Sequence, residues 1–490
     1  MNKAFLRFTS VLMCAILIFS FSVTAVLAEE VNGLEPRLIS VSVNGDTSSS
    51  RGFCWYTDSE TESEVRVYSN GVQAEVKCDL QPVIEWGGAY MHKATVSGLT
   101  AGTAYTYKVG NGTVWSEEGA FVTDNGDDKL DFAVIADVQA SNKENFDKGA
   151  ATLKAALDTM PTAEFYANCG DFTNDSTAEE WALYGDAFDA LSIKSTIVPV
   201  SGNHDGLGVE DWFTNTFNLD TSESVQTKDG VNYSFDYGNV HFAVLNTNDI
   251  LAISYAQLKW LENDMNSTSK DWKIVFMHKS PYSLGKDAKW PDALYLQQSL
   301  TKVLDKCNVD IVFSGHDHMY LRTKPLTGNK LDDSGVTYVL AGTAGTKRYE
   351  VRSFLADNFL DTSFIDALTV QKGGYGNYWN GTDWNSTSEK NIGGCFSCVS
   401  VDGGTLTAKA YILADETGEI TNIDTYTFTK TTGENKATFS GDNTTSQAEY
   451  ILGVVPSFLG LAAYALGIWL PKFLIMLPEL LKVYINEGTF

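Results

Sequence analysis

The chain has 490 residues, 43% of them hydrophobic and 12% aromatic, seven cysteines and a formal net charge of −27. That length exceeds one ordinary core, so two or more domains are expected, and the apolar content excludes a disordered chain. The acidic balance disfavours sequence-independent nucleic-acid binding, which needs lysine and arginine to displace counterions, and suits a soluble surface outside the cell.

Residues 1–28 read as a secretory signal peptide. Lys3 and Arg7 precede an apolar run over 11–27, and Val26-Leu27-Ala28 offers a cleavage site before Glu29. An uncleaved N-terminal anchor is the alternative. Residues 34–125 read as an all-β sandwich, with "RGFCWYT", "SEVRVYS", "HKATVSGL" and "AYTYKVG" as its clearest strands. The segment "GLTAGTAYTYKVG" resembles the tyrosine corner of a fibronectin type III-like domain. That resemblance puts Leu99 in the core and ties Tyr105 back to the backbone. Trp55 is read as core, and a Cys54–Cys78 bridge stays open.

From Lys129 the grammar changes to alternating strands and helices. "LDFAVIAD" is a buried strand, and Phe146, Ala150, Leu153 and Leu157 share one helical face after it. "AEFYANCGD" and "STIVPVSGNHD" repeat the strand-then-loop form around the helix "AEEWALYGDAFDALSI". "YSFDYGNVHFAVLNT" reads as an antiparallel pair turning at Gly238-Asn239. "KIVFMHKS" and "VDIVFSGHDH" are strands flanking one amphipathic helix, "LYLQQSLTKVLDKC". The class is α/β with mixed strand directions, spanning 129–412.

Residues 351–393 read as an irregular insertion, a lid in which Trp379 and Trp384 could wall a substrate pocket. Cys395 and Cys398 sit three apart in a strand pattern, so they should face opposite sides rather than pair. Residues 413–449 supply a closing strand and a Thr/Asn/Ser-rich linker. Residues 450–471 carry no charge and are long enough for a membrane-spanning helix, with a buried helix or re-entrant segment as the alternative.

Five clusters with metal-ligand chemistry each follow a predicted strand: Asp137-Val138-Gln139, Gly170-Asp171, Gly202-Asn203-His204-Asp205, His278, and Gly315-His316-Asp317-His318. Ligand groups gather at the carboxyl ends of strands in α/β sheets. Oxygen and imidazole donors without a thiolate cluster suit Mn, Fe or Zn. Only six histidines exist, and four belong to this set. His92 and His241 have no ligand neighbours and read as core or surface residues.

The order of these motifs resembles the calcineurin-like metallophosphoesterase superfamily, and the preceding sandwich resembles the purple acid phosphatase branch. The resemblance implies a four-layer α-β-β-α sandwich and two divalent ions. Asp171 would bridge them, with Asp137 and His318 on one and Asn203, His278 and His316 on the other. Gln139 stands where the superfamily commonly has histidine, and its ligation is left open. His204 and Asp205 are the catalytic candidates. His204 matches the residue that contacts phosphate and protonates the leaving oxygen, whereas Asp205 is expected to point elsewhere. Asp317 is expected to orient neighbouring groups, and Arg322 to pack rather than touch substrate. Asn174 replaces the tyrosine that colours purple acid phosphatases, so two divalent ions are expected instead of a ferric tyrosinate.

Four positive charges from the ions, less Asp137, Asp171 and a bridging hydroxide, leave one positive charge for an anionic phosphate. The implied activity is in-line hydrolysis of small phosphate monoesters by an exported, membrane-tethered enzyme. A phosphodiesterase or nucleotide hydrolase on the same site is one alternative. A surface adhesion protein with a vestigial metal domain is the other.

Overall fold

Alternating side chains along the central strands set the layers. In Lys129–Ile135, Phe132 and Val134 face one core while Ala133 and Ile135 face another, as the two-residue period of a strand requires. The computed structural model describes residues 33–430 apart from 207–210, 226, 229, 250–251, 286, 289, 350–362, 373–374, 380–383, 387–391 and 416. The predicted leader and the predicted membrane span lie outside the described residues. Among the described residues no helix is long and apolar enough to cross a membrane.

Two sheets pack back to back. The first carries three parallel neighbours, Lys129–Ile135, Phe165–Asn168 and Thr196–Pro199, flanked by the antiparallel strands Ile392–Asp402, Thr405–Ala414 and Ile420–Thr429. The second carries Val240–Val244, Trp272–Phe276, Ile311–Ser314 and Thr337–Ala341 in parallel. Phe132, Phe165, Phe242, Phe276 and Phe313 fill the space between them. Helices Lys143–Thr159 and Ala178–Ser192 cover the outer face of the first sheet. Tyr255–Ser267, Pro291–Gln298 and Leu300–Lys306 cover that of the second. This is the four-layer α-β-β-α order.

The N-terminal strands form a sandwich around Phe53, Trp55, Val67 and Tyr107. Leu99 is buried, and the Thr100 N–H donates to Tyr105 Oη at 2.9 Å, which closes the tyrosine corner. The first strand of the sandwich joins it to the α/β region. Arg37–Ser42 pairs in parallel with Thr196–Pro199, so one sandwich sheet continues the first sheet of that region. The Asp189 carboxylate on helix Ala178–Ser192 accepts the Leu38 and Ile39 N–H groups at 2.8 and 3.0 Å across the same seam.

Two expectations change and one open question closes. The single helix over 294–307 is two, Pro291–Gln298 and Leu300–Lys306. The break falls at Ser299, whose hydroxyl donates back to the Tyr295 carbonyl at 2.7 Å, the local competition that bends helices. Within the insertion, the described segments Ile365–Lys372, Tyr375–Trp379 and Trp384–Ser386 are regular strands that extend the second sheet, with Trp379 and Trp384 opposite each other across the last pair. Cys54 and Cys78 are both free thiols. Cys395 and Cys398 do face opposite layers of the fold.

Candidate metal centre

Strand ends deliver the site residues. Asp137 and Gln139 come after Lys129–Ile135, Asp171 after Phe165–Asn168, and Asn203 with His204 and Asp205 after Thr196–Pro199. His278 comes after Trp272–Phe276, and His316 with His318 after Ile311–Ser314. The two sheets therefore contribute opposite walls of one cleft.

Two overlapping trios result. Ligand atoms of Asp171, His278 and His316 lie within 4.8 Å of one another, and so do those of Asp137, Asp171 and His318. Asp171 belongs to both. Its Oδ1 is 3.3 Å from His278 Nε2, and Asp137 Oδ1 is 3.3 Å from His318 Nε2. Asn203 Oδ1 joins the first trio, 3.1 Å from His278 Nε2.

The histidines are aimed by the backbone. His278 Nδ1 donates to the Cys169 carbonyl at 2.8 Å, His318 Nδ1 to the Lys347 carbonyl at 2.7 Å, and His204 Nδ1 to the Asn174 carbonyl at 2.5 Å. A carbonyl only accepts, so each Nδ1 carries a proton and each Nε2 is the ring atom left for the cleft. The loop glycines make room for this. Gly170 has φ +96° and a Cβ there would sit 2.6 Å from His278 Nδ1, while a Cβ on Gly315 would sit 2.6 Å from Asp137 Oδ2.

Five of the eleven described non-glycine residues at positive φ are Asp137, Gln139, Asp171, His316 and His318. Such strain costs on the order of 1 kcal/mol or more each, so its concentration here points to a function that rewards it. The electrostatics agree. Burial opposes ionisation of Asp171, but His278 and the His204 N–H hold its carboxyl below the usual range. Burial also opposes charge on His278, yet Asp171 and Asp137 raise it to about 9. Burial and then His278 push His316 down. The carboxylates thus stabilise positive charge in the cleft, and the two facing imidazoles share it unequally.

Asp205 lies beneath the site. Its carboxylate accepts the N–H groups of Gly202, Phe172 and Asp171 at 2.8, 2.8 and 3.0 Å, pinning the two motif loops together. Asp317 accepts the Ser283 hydroxyl and, at 3.4 Å, the Asp287 N–H. Arg322 packs over Tyr426 and is held by Asp424 through Nε at 2.7 Å and by Asp366. His92 and His241 lie elsewhere, the first stacked on Trp55 in the sandwich and the second between Asp236 and Asp264. Sequence reasoning missed Asp287, whose Oδ2 is 3.5 Å from His316 Nε2. No motif marks it.

Known proteins show the same division of the chain. A family model described as calcineurin-like phosphoesterase matches residues 130–320, and one described as the purple acid phosphatase N-terminal domain matches residues 36–123. Over residues 130–320 the chain is therefore similar to the calcineurin-like phosphoesterases, a family of metal-dependent phosphoric ester hydrolases with a dinuclear centre. Its homologues include purple acid phosphatases. Purple acid phosphatase 21 of Arabidopsis thaliana is 26% identical over 52% of this chain and 59% of its own length. Purple acid phosphatase 22 of the same plant is 24% identical over 61% and 70%. The chain thus spans between about half and three quarters of these relatives. A solved structure titled "Structure of PhoD" superposes with a TM-score of 0.55 at 11% identity, covering 87% of this chain and 98% of that one, a likeness of fold.

Proposed function

We propose that the chain hydrolyses small phosphate monoesters at a pair of divalent ions, Mn, Fe or Zn. The observation that carries this is the pair of ligand trios sharing Asp171, buried except for the half-buried His316. Asp137, His318 and Gln139 would hold one ion, and Asn203, His278 and His316 the other, with Asp171 between them. Gln139 supports the fit: its Oε1 is buried with no hydrogen-bond partner, a cost that a cation would remove. When bound, two such ions supply charge for the phosphoryl oxygens and an acidified water.

The chain's own residues do the rest. Asp171 Oδ1 accepts the His204 N–H at 2.9 Å, which seats that histidine beside the shared carboxylate. With Nδ1 committed to the Asn174 carbonyl, His204 Nε2 is the atom that meets a phosphoryl oxygen and passes a proton to the leaving group. Asp205 acts as a positioning residue through the three backbone N–H groups it fixes. The leader pattern at 1–28 supports export, and the apolar segment 450–471 supports a membrane tether. The deciding experiment is aryl phosphate hydrolysis before and after chelation. Activity lost with chelator and restored by Mn or Zn supports this reading, and activity indifferent to chelator removes it.

A further inference from the structure

We propose that the segment 343–349 fixes the ion held by Asp137, Gln139 and His318, with Tyr349 as its positioning residue; this rests on the hydrolase reading above. The segment follows strand Thr337–Ala341. Both of its ends reach ligands of that one ion. At its start, the Thr343 hydroxyl donates to the Asp137 carbonyl at 2.7 Å, and the Gly345 N–H donates to the same oxygen at 3.2 Å. At its end, the Lys347 carbonyl accepts His318 Nδ1 at 2.7 Å. The Tyr349 ring lies on the same imidazole, with centroids 4.5 Å apart and planes 21° apart, and the Tyr349 N–H donates to the His318 carbonyl at 3.3 Å.

These contacts act on strained backbone. Asp137 has φ +54° and His318 φ +44°, conformations that persist only where the surroundings over-determine them. The carbonyls of both residues accept hydrogen bonds from this one segment. The segment is itself tied down. Thr152 on helix Lys143–Thr159 donates to the Ala344 carbonyl at 2.8 Å, the Cys395 N–H donates to the Thr343 carbonyl at 2.7 Å, and the Arg348 guanidinium donates to the Gly345, Thr346 and Gly393 carbonyls. A Cβ on Gly345 would come 2.1 Å from the Val138 carbonyl oxygen, so the chain lies flat on the motif that carries Asp137 and Gln139.

The two ions therefore depend on different supports. His278 is aimed by the Cys169 carbonyl, and the loop of Asn203 is pinned by Asp205. His318 is aimed by the segment 343–349. The hydrogen bond at Nδ1 sets the direction of its ring within the plane, and the stack on Tyr349 sets the tilt of the plane. Together they hold His318 Nε2 3.3 Å from Asp137 Oδ1. Groups that orient a ligand in this way typically govern metal affinity by about 10- to 100-fold.

The test uses the full chain loaded with Mn and, in parallel, with Zn. Bound metal is counted by elemental analysis after dialysis, affinity is read by calorimetry, and electron paramagnetic resonance separates a coupled Mn pair from an isolated ion. Tyr349→Leu removes the flat ring and should weaken one of the two ions roughly 10- to 100-fold, leaving the spectrum of isolated Mn. Tyr349→Phe keeps the ring and should bind both ions as the wild type does. Thr343→Val takes the hydroxyl from the Asp137 carbonyl without touching the aromatic contact. It should weaken the same ion, so that combining it with Tyr349→Leu still leaves one ion bound. Wild-type affinity for both ions in Tyr349→Leu and Thr343→Val overturns the proposal. So does equal loss in Tyr349→Phe, or loss of both ions together from a variant that folds by circular dichroism. A wild type that takes up neither metal removes the hydrolase reading and this inference with it, whereas a wild type with two ions and indifferent variants removes this inference alone.

Discussion

The sandwich and the cleft both bury histidine, and they satisfy it differently. In the sandwich His92 has both ring nitrogens engaged, by Thr57 at 2.9 Å and Ser63 at 2.8 Å, and stacks on Trp55 with centroids 5.1 Å apart. Burial lowers it to about 4, so it is neutral and finished. In the cleft His204, His278 and His318 each have one nitrogen tied to a carbonyl and the other turned toward carboxylates or the cavity. Backbone strain is concentrated there, with five of the eleven described positive-φ non-glycine residues lining the cleft. Half-satisfied imidazoles beside strained backbone mark the functional region, whereas the fully satisfied His92 belongs to the scaffold.

The contrast breaks most visibly at Asp171. Asp171→Asn should lower aryl phosphate turnover by at least about 10³-fold while leaving the fold intact by circular dichroism, because the shared carboxylate loses its charge. Asp205→Ala should instead destabilise the protein by about 3 kcal/mol in denaturant titration, since three backbone N–H groups lose their partner. Weakened metal binding should accompany it, because the two loops it pins carry Asp171 and Asn203. Tyr105→Phe in the sandwich should cost only about 1 kcal/mol, with kcat unchanged.

His241 gives a pH readout outside the cleft. Burial opposes its charge, but Asp236 and Asp264 raise it to about 9. A raised folded pKa gives stability that is fully present below the unfolded value of about 6.5 and is lost as pH rises through 9. Unfolding free energies between pH 6 and 10 should therefore fall more steeply in wild type than in His241→Gln. The smallest effect is spectroscopic. With Asn174 offering only its backbone carbonyl to His204, the metal-loaded protein should be colourless, and an intense visible charge-transfer band would count against the divalent pair.

The motif residues were legible because each is a short polar cluster after a buried strand, and strand ends of parallel sheets converge. Tyr105, Leu99 and the opposite facing of Cys395 and Cys398 were legible for equally local reasons. The joining of the sandwich to the first sheet was not, since it depends on Arg37–Ser42 meeting Thr196–Pro199, segments more than 150 residues apart with no pattern linking them. The strands at Tyr375–Trp379 and Trp384–Ser386 hid in a Gly/Asn-rich composition that strands usually avoid. Asp287 hid because a lone aspartate in a loop looks like solvated charge until the fold sets it beside His316.

The central claim is tested most directly by counting metal. After exhaustive dialysis, elemental analysis should find about two divalent ions per wild-type chain, with a clear loss in Asp171→Asn. A metal-free wild type that still cleaves aryl phosphate would contradict the account.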